Sequence, residues 1–194
     1  MTMFGGILSV LEKIKVKNIF VGKQFEENSN YSKFLKIVKS KKIEVKTLCA
    51  GQKINLSKST YIEVLWPDKD SKITQNLINN NALVFKLYNS NMFILFTGDI
   101  EEEAEKELVK KYKNKLSAQI LKVAHHGSNS SSTREFINLV KPKIALIGVG
   151  KDNKYGHPSD ETINLLKSIN CKIYRTDENG EITIKNGKIT TKLT

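Results

Sequence analysis

The chain has 194 residues, 39% of them hydrophobic and 27% charged, which is ordinary for a soluble globular protein and suits one compact domain, residues 1–194. No apolar run approaches the ~20 residues that a membrane-spanning helix needs, and the start, MTMFGGILSVLEKIKVK, lacks the apolar stretch and cleavage site of a signal peptide. The two cysteines, Cys49 and Cys171, are compatible with buried thiols and with a bridge, so they assign no redox compartment.

The formal net charge of +12 raises nucleic acid as a partner, because basic surfaces collect polyanions. All but two of the 32 basic residues are lysine, the exceptions being Arg134 and Arg175, and the lysines are spread along the chain. No basic arm or aromatic RNA-binding motif accompanies them. This distribution favours solvated surface lysines, with electrostatic attraction of a phosphate-bearing substrate as the alternative.

The first half of the chain alternates β-branched runs with a helix-like pattern over 31–40. Three strands are predicted around that helix: NIFVG at 18–22, IEVKTL at 43–48 and YIEVLWP at 61–67. ALVFKLYNSNMFILFTGDI then predicts two largely buried strands joined by a turn at Asn89, Ser90 and Asn91. This alternation predicts a layered α/β fold.

The second half repeats a cycle of strand and helix. EEEAEKELVKKY predicts a helix from Glu101, since acids fill its first turn and lysines its last, as the helix dipole favours. The following strands are predicted at AQILKVA (118–124), KIALIGVG (143–150) and CKIYRT (171–176). Helices are predicted at 133–140 and after a cap at Ser159 or Asp160, and a last hairpin over 180–193 turns at Asn186 and Gly187.

Polar side chains follow three of the predicted strands: Asp99 after ILFTG, His125 and His126 after ILKVA, and His157 after ALIGVG. In open α/β sheets, ligands bind beyond the carboxyl ends of the strands. Imidazole and carboxylate groups suit zinc, manganese or iron, and a metal-bound water becomes hydroxide near neutral pH. The sequence therefore predicts a metal-assisted hydrolytic site at this edge.

Each residue also has an ordinary interpretation. Asp99 alone is typical of a helix N-cap, and His157 alone is typical of a surface turn. The adjacent His125 and His126 are expected to point to opposite sides of an extended segment, one toward the metal and the other toward the substrate or the groups that surround the metal ligands.

The stretch after the histidines is rich in glycine and hydroxyl groups. Gly127 allows the backbone to turn tightly, and Ser128, Ser130, Ser131 and Ser132 can orient ligands or receive phosphate oxygens.

Four segments, in this order, resemble the carboxyl-terminal hydrolase domain of ComEC-type competence proteins in the metallo-β-lactamase superfamily: FILFTGDIEEEAEKEL, LKVAHHGSNSSS, LIGVGKDNKYGHPSDETINLL and IYRTDENGEITI. The similarity runs from Gly5 to near the end of the chain, and TGD followed by HHGS and YGHP is its specific part. The resemblance implies a metallo-β-lactamase-like αββα sandwich with a metal-dependent hydrolase site at one edge.

The resemblance also implies roles for the site residues. Asp99 corresponds to the metal-bridging aspartate, His126 to the late metal-binding histidine, and His125 to a substrate or metal contact. His157 corresponds to a contact to the substrate phosphate or a proton donor.

NNNALVFKL resembles the strand start N-x-S-L-V of the family. It places Asn81 where many relatives in the superfamily carry a ligating histidine, and this makes Asn81 a candidate substrate-binding residue. Ala82 replaces the usual serine.

Relatives carry an early H-x-[HD]-x-D-H cluster before IGG, whereas this chain keeps FGGI and has Met1, Thr2 and Met3 there. We expect a sandwich that is incomplete at its amino-terminal end, through truncation or degeneration, and the intact TGD, HHGS and YGHP favour truncation. Asp99 and His126 are fewer than the three or four groups of a zinc site. A divalent metal, Zn or Mn, is therefore expected in the complete domain and weakly or not at all in this chain.

The resemblance implies hydrolysis of phosphodiester or related ester bonds, linked to DNA uptake, with a phosphate-containing substrate that in this setting is DNA. A non-catalytic module that binds nucleic acid or a partner is one alternative, and another superfamily esterase, of the phosphorylcholine esterase or lactonase type, is a second. Family context implies the outer face of a bacterial membrane, or a soluble protein if the domain is free-standing.

Overall fold

The structure is a computed structural model that describes residues 4–23, 29–90, 92–185 and 187–193. Met1, Thr2 and Met3, where the early family motif is compared, lie outside these ranges, as do Asn91 and Asn186 of the two predicted turns. No helix in the described ranges is both long and apolar enough to span a membrane.

The amino-terminal part packs two helices beside a small parallel sheet. Its elements are α1 (Phe4–Lys13), β1 (Asn18–Val21), α2 (Ser29–Ser40) and β2 (Glu44–Thr47). Leu11, Phe34 and Ile43 are its buried apolar side chains, one from α1, one from α2 and one just before β2. This small core is separate from the main one.

A seven-stranded mixed sheet forms the centre of the molecule. In spatial order its strands are β3 (Lys53–Asn55), β4 (Thr60–Trp66), β5 (Val84–Asn89), β6 (Met92–Phe96), β7 (Ile120–Lys122), β8 (Ile144–Ile147) and β9 (Lys172–Arg175). The first four strands pair antiparallel and the last four pair parallel, with Ile94, Ile120 and Ile144 in register across β6 to β8.

Three helices connect the parallel strands. These are α4 (Glu102–Tyr112), α5 (Arg134–Val140) and α6 (Asp160–Ser168). A short helix before β5, α3 (Leu77–Asn80), is not one of them. Because β6 to β9 are parallel, each connecting helix begins at the carboxyl end of one strand and ends at the amino end of the next. The loops that carry the candidate site residues therefore gather at one edge of the sheet.

The main core lies between the sheet and these helices. It contains strand residues such as Leu95 and Leu121 and helix residues such as Leu108, Phe136 and Leu166, all at most 1% exposed. Apolar residues at helical spacing on α4 and α5 meet the period-two pattern of the strands, which is the packing that the sequence predicts.

The chain closes with α7 (Thr176–Asn179) and an antiparallel hairpin of β10 (Glu181–Lys185) and β11 (Lys188–Lys192). Cys49 and Cys171 are free thiols, and burial raises the pKa of the Cys171 thiol to about 11. The bridge that the sequence left open is therefore absent in this fold.

The α/β class predicted from the sequence is confirmed. Two predicted strands are too long: β7 ends at Lys122 because Ala124–Gly127 turns as a 3₁₀ helix, and β8 ends at Ile147. The helix expected from Glu101 begins one residue later, and α1, β3, α3 and α7 are not among the elements predicted from the sequence.

Candidate functional site

The candidate site lies beyond the carboxyl ends of β6, β7 and β8. Asp99 follows β6, His125 and His126 follow β7, and His157 lies in the loop between β8 and α6. All four side chains are brought to this edge, as the sequence predicts.

His126 is held between the loops after β6 and β8. Its Nδ1 donates to the carbonyl oxygen of Gly148 at 2.5 Å, because a carbonyl oxygen only accepts. Nε2 then faces Asp99, whose Oδ1 lies 3.7 Å away. The Asp99 side chain is 13% exposed and that of His126 45%, so a ligand entering from solvent meets the imidazole first.

His125 lies beside His126 and contacts a different acid. Its Nδ1 is 3.3 Å from Oε1 of Glu101 and 3.3 Å from Oγ of Ser130. Its ring also meets the His157 ring edge-on, with the centroids 5.7 Å apart. His125 therefore links the carboxylates after β6 to the loop after β8.

The position of His157 is fixed through its backbone. Asn153 donates from Nδ2 to the His157 carbonyl oxygen at 2.8 Å and accepts from the His157 N–H at 2.9 Å. The Tyr155 ring, which is 73% exposed, stacks on the imidazole with centroids 5.8 Å apart. Burial, together with the nearby His125 and His126, lowers the pKa of His157, which favours neutral imidazole at neutral pH.

The backbone of the adjacent histidines is not extended. His125 and His126 both have left-handed geometry, with φ of 45° and 55°, inside the 3₁₀ turn Ala124–Gly127. The expectation that neighbouring side chains of an extended segment point to opposite sides is therefore wrong in its premise. The side chains separate because the turn sends His126 toward Gly148 and His125 toward Glu101.

Gly127 joins two of the loops at close range. Its φ is +83°, and a Cβ placed on it would lie 2.6 Å from Cβ of Pro158. Its carbonyl oxygen accepts a hydrogen bond from the Ser159 N–H at 2.9 Å, and Ser159 caps α6. Gly127 thus provides contact between the two histidine loops as well as a turn.

Asp99 is not the N-cap of the helix that follows it. The cap residue of α4 is Glu101, which makes no capping hydrogen bond with its own side chain. The buried Asn80 does this instead, since its Oδ1 accepts from the backbone N–H of Glu101 at 2.8 Å. The N-cap interpretation of Asp99 is therefore wrong, and its carboxylate is left to face His126.

The two candidate substrate-binding residues have structural partners. Ser128 is 5% exposed, and its hydroxyl oxygen lies 3.0 Å from Oγ of Ser130. Asn81, half-buried before β5, donates from Nδ2 to the carbonyl oxygen of Leu77 at 2.8 Å. Ser130 is the serine that reaches His125.

Two ionisable side chains that the sequence did not predict as site residues bind the backbone next to the site. Glu105 is fully buried, and its carboxylate accepts from the N–H groups of Ser132 and Thr133 at 2.6 and 2.7 Å. Lys122 donates from Nζ to the Val123 carbonyl oxygen at 2.7 Å. Burial lowers the pKa of Lys122, and the negative charge of Asp99 offsets part of that shift. The sequence signal for Glu105 is its place on the apolar face of the amphipathic helix α4, where an acid is unusual.

The donors for a metal are few among the described residues, where no group of three or more His, Cys, Asp or Glu side chains is arranged to hold an ion. Asp99 and His126 form the best-placed pair, whereas zinc sites use three or four protein groups. The described residues do not by themselves fit a tight metal site.

Comparison with curated proteins finds competence proteins that are similar to the chain in sequence. The chain is 32% identical over 173 residues to ComE operon protein 3 of Bacillus subtilis, which covers 89% of this chain and 22% of that protein. It is 33% identical over 126 residues to competence protein ComA of Neisseria gonorrhoeae, covering 65% and 18%. The chain is a homologue of the ComEC-type competence proteins. It spans about a fifth of the length of these ComEC-type relatives.

Comparison with solved structures supports the fold. The E377D mutant of CmlA β-hydroxylase, an enzyme of the metallo-β-lactamase fold, matches 90% of this chain and 40% of its own at a TM-score of 0.51 and 9% identity. The chain thus has a metallo-β-lactamase-like α/β fold, as the resemblance implied. No family model matches the sequence.

Proposed function

We propose that this chain is the hydrolase-type domain of a ComEC-like protein and that its substrate is a phosphodiester of nucleic acid handled in DNA uptake. The observation that supports this most is the convergence of Asp99, His125, His126 and His157 at one edge of the sheet. Homology to competence proteins supports DNA uptake as the biological setting.

The arrangement provides the groups that a phosphodiester needs. A phosphate is an anion, and the imidazoles of His125 and His157 can each offer an N–H to its oxygens, whereas His126 already donates its Nδ1–H to Gly148. His157, kept neutral by its lowered pKa, offers one N–H and one lone pair, so it can hold a phosphate oxygen or take a proton. We assign His157 and His125 to substrate and proton handling.

Asp99 and His126 are assigned to the metal side of the site. The hydrogen bond to Gly148 fixes the His126 tautomer and leaves Nε2 for a cation or for Asp99. Two donors are too few for tight binding, so a divalent ion, Zn²⁺ or Mn²⁺, is expected to bind this chain weakly.

Ser128 and Asn81 are the remaining candidates for substrate contacts. Each needs a change of partner to meet a ligand, because Ser128 is bound to Ser130 and Asn81 to Leu77. Ser130, next to His125, is the better-exposed hydroxyl.

The test is hydrolysis of bis(p-nitrophenyl) phosphate by the purified chain as Mn²⁺ or Zn²⁺ is titrated to millimolar levels. We expect a low rate that falls at least ~10-fold in Asp99→Asn and in His126→Ala, because each removes one of the two metal-side groups. Asp70→Asn, an exposed carboxylate away from the histidines, is the matched control. Equal rates in Asp99→Asn and Asp70→Asn would refute the assignment, and no metal-dependent rate at all would refute hydrolysis by this chain.

A further inference from the structure

A second charged surface lies at the opposite end of the sheet from the histidines. It is formed by six exposed lysines at the amino ends of β7, β8 and β9, here called the basic end: Lys113, Lys115, Lys141, Lys143, Lys167 and Lys172. Backbone hydrogen bonds hold the three segments together, from Ala118 N–H to the Val140 carbonyl oxygen and from Lys172 N–H to the Lys143 carbonyl oxygen.

The fold itself produces this segregation of charge. Helices α4, α5 and α6 carry acids in their first turns, and α4 and α6 carry lysines in their last turns. Each of these helices ends where the next parallel strand begins, so the lysine-rich ends meet on one side. The acidic first turns lie on the side of the histidine cluster.

The lysines of the basic end are not neutralised by neighbouring acids in the chain. No aspartate or glutamate occurs in residues 113–134, 136–151 or 162–176, the segments that contain the six lysines. In the described part of the chain none of the six forms an ion pair, whereas Lys111, one turn earlier, pairs with Asp68. Fixed positive charge on this end is therefore available to an external anion.

The basic end contains a groove of about 610 Å³ between the end of α5 and the end of α6. Its exposed polar residues are Lys141, Lys143, Asn138 and Asn170, and Ile137 lies buried beneath them. The ammonium and amide N–H groups can bind phosphate oxygens, and the apolar surface beside them can contact the sugars between the phosphates.

We infer that the basic end binds the backbone of a nucleic acid strand, as a docking surface separate from the histidine cluster. Lysine binds phosphate as a point charge, and the groove-lining residues include no aromatic side chain on which a base can stack, so binding is independent of base sequence. The two sites are roughly 15 Å apart along β8.

An anionic membrane surface fits this end poorly. Membrane-surface binding combines basic groups with exposed large apolar side chains that enter the lipid. The large hydrophobic residues exposed in the described chain, such as Val10, Phe20, Leu77 and Leu193, come from other segments. A concave and polar end suits a strand better than a bilayer.

The test measures anisotropy of a fluorescein-labelled 20-nucleotide single-stranded DNA with the full chain, across a series of NaCl concentrations. We expect Lys141→Gln/Lys143→Gln/Lys172→Gln to weaken binding at least ~10-fold at low salt and to reduce the slope of log affinity against log salt by about 2, since each single-strand phosphate contact contributes about 0.7. The control variant is Lys33→Gln/Lys36→Gln/Lys39→Gln, which removes the same charge from the exposed face of α2.

A control variant that loses as much affinity as the basic-end variant would show an effect of net charge alone and overturn the inference. Absence of DNA binding, or binding only to vesicles of phosphatidylglycerol, would overturn it as well. Failure of hydrolysis with retained lysine-dependent binding would reject the proposed function and leave the docking surface standing.

Discussion

At the scale of single residues, Gly127 determines how the two histidine loops meet. Alanine at this position takes on both a left-handed φ and a Cβ at 2.6 Å from Pro158. We expect Gly127→Ala to lower the free energy of unfolding by about 2–5 kcal/mol, the sum of the left-handed cost and an overpacked contact. Urea unfolding of wild type and variant measures this loss.

Gly51→Ala separates the two causes. Gly51 has φ of +90°, but a Cβ there meets no atom within 4 Å, so its variant carries only the conformational cost of about 1–2 kcal/mol. Equal losses in the two variants would mean that the contact with Pro158 relaxes freely, and Gly127 would then act as a turn residue alone.

Glu105 predicts a pH dependence of stability with a defined sign. Burial raises its pKa from 4.5 to about 7, although two backbone N–H groups oppose the shift. A carboxyl whose pKa is raised by folding binds more protons in the folded state, so its contribution is fully present below about pH 4.5 and is lost as pH rises through 7. The difference corresponds to about 3 kcal/mol in the free energy of unfolding.

Glu105→Gln is expected to remove this part of the change in unfolding free energy between pH 5 and pH 8, measured by urea titration at both pH values. Glu103→Gln is the control on the same helix. The backbone N–H of Gln75 lowers the pKa of Glu103, so its contribution is lost only as pH falls below its ordinary value of 4.5. A Glu105→Gln protein with the same pH 5 to pH 8 difference as wild type would contradict the prediction.

At the scale of elements, the sequence predicts what local chemistry determines. α4 is marked by its acids and lysines, α6 by the Ser159 cap, and the hairpin strands β5 and β6 by apolar runs on either side of a turn. These signals act within a few residues, so they are readable without the rest of the fold.

Elements whose ends depend on distant partners were predicted less well. The predicted strand before the histidines is too long, because the left-handed turn at His125 and His126 comes with contacts to Glu101 and Gly148, which are distant in sequence. Asp99 was open to interpretation as a cap for the same reason, since the true capping group, Asn80, lies 21 residues before Glu101. The sequence could therefore predict that the site lies at the edge of the sheet, but it could not predict which groups its side chains contact.

At the scale of the whole molecule, stability is expected to be uneven. The main core joins the central sheet to α4, α5 and α6 through many fully buried side chains. Among the side chains that the structure describes, α1, α2 and the segment before β2 share only Leu11, Phe34 and Ile43 as buried apolar residues. β1 and β2 have no residue that is fully buried. Less apolar area removed from water means a lower free energy of local opening.

We therefore expect amides in peptides from α2 and β2 to exchange faster than those in peptides from β6, β7 and β8, as measured by hydrogen exchange with mass spectrometry. Phe34→Ala, which empties the small core, is expected to speed exchange in the amino-terminal part and to leave the central strands protected, because those amides open through a separate core. Leu121→Ala, in the main core, is expected to speed exchange in the central strands. If Phe34→Ala raised exchange in β7 as much as in α2, the two cores would form one cooperative unit.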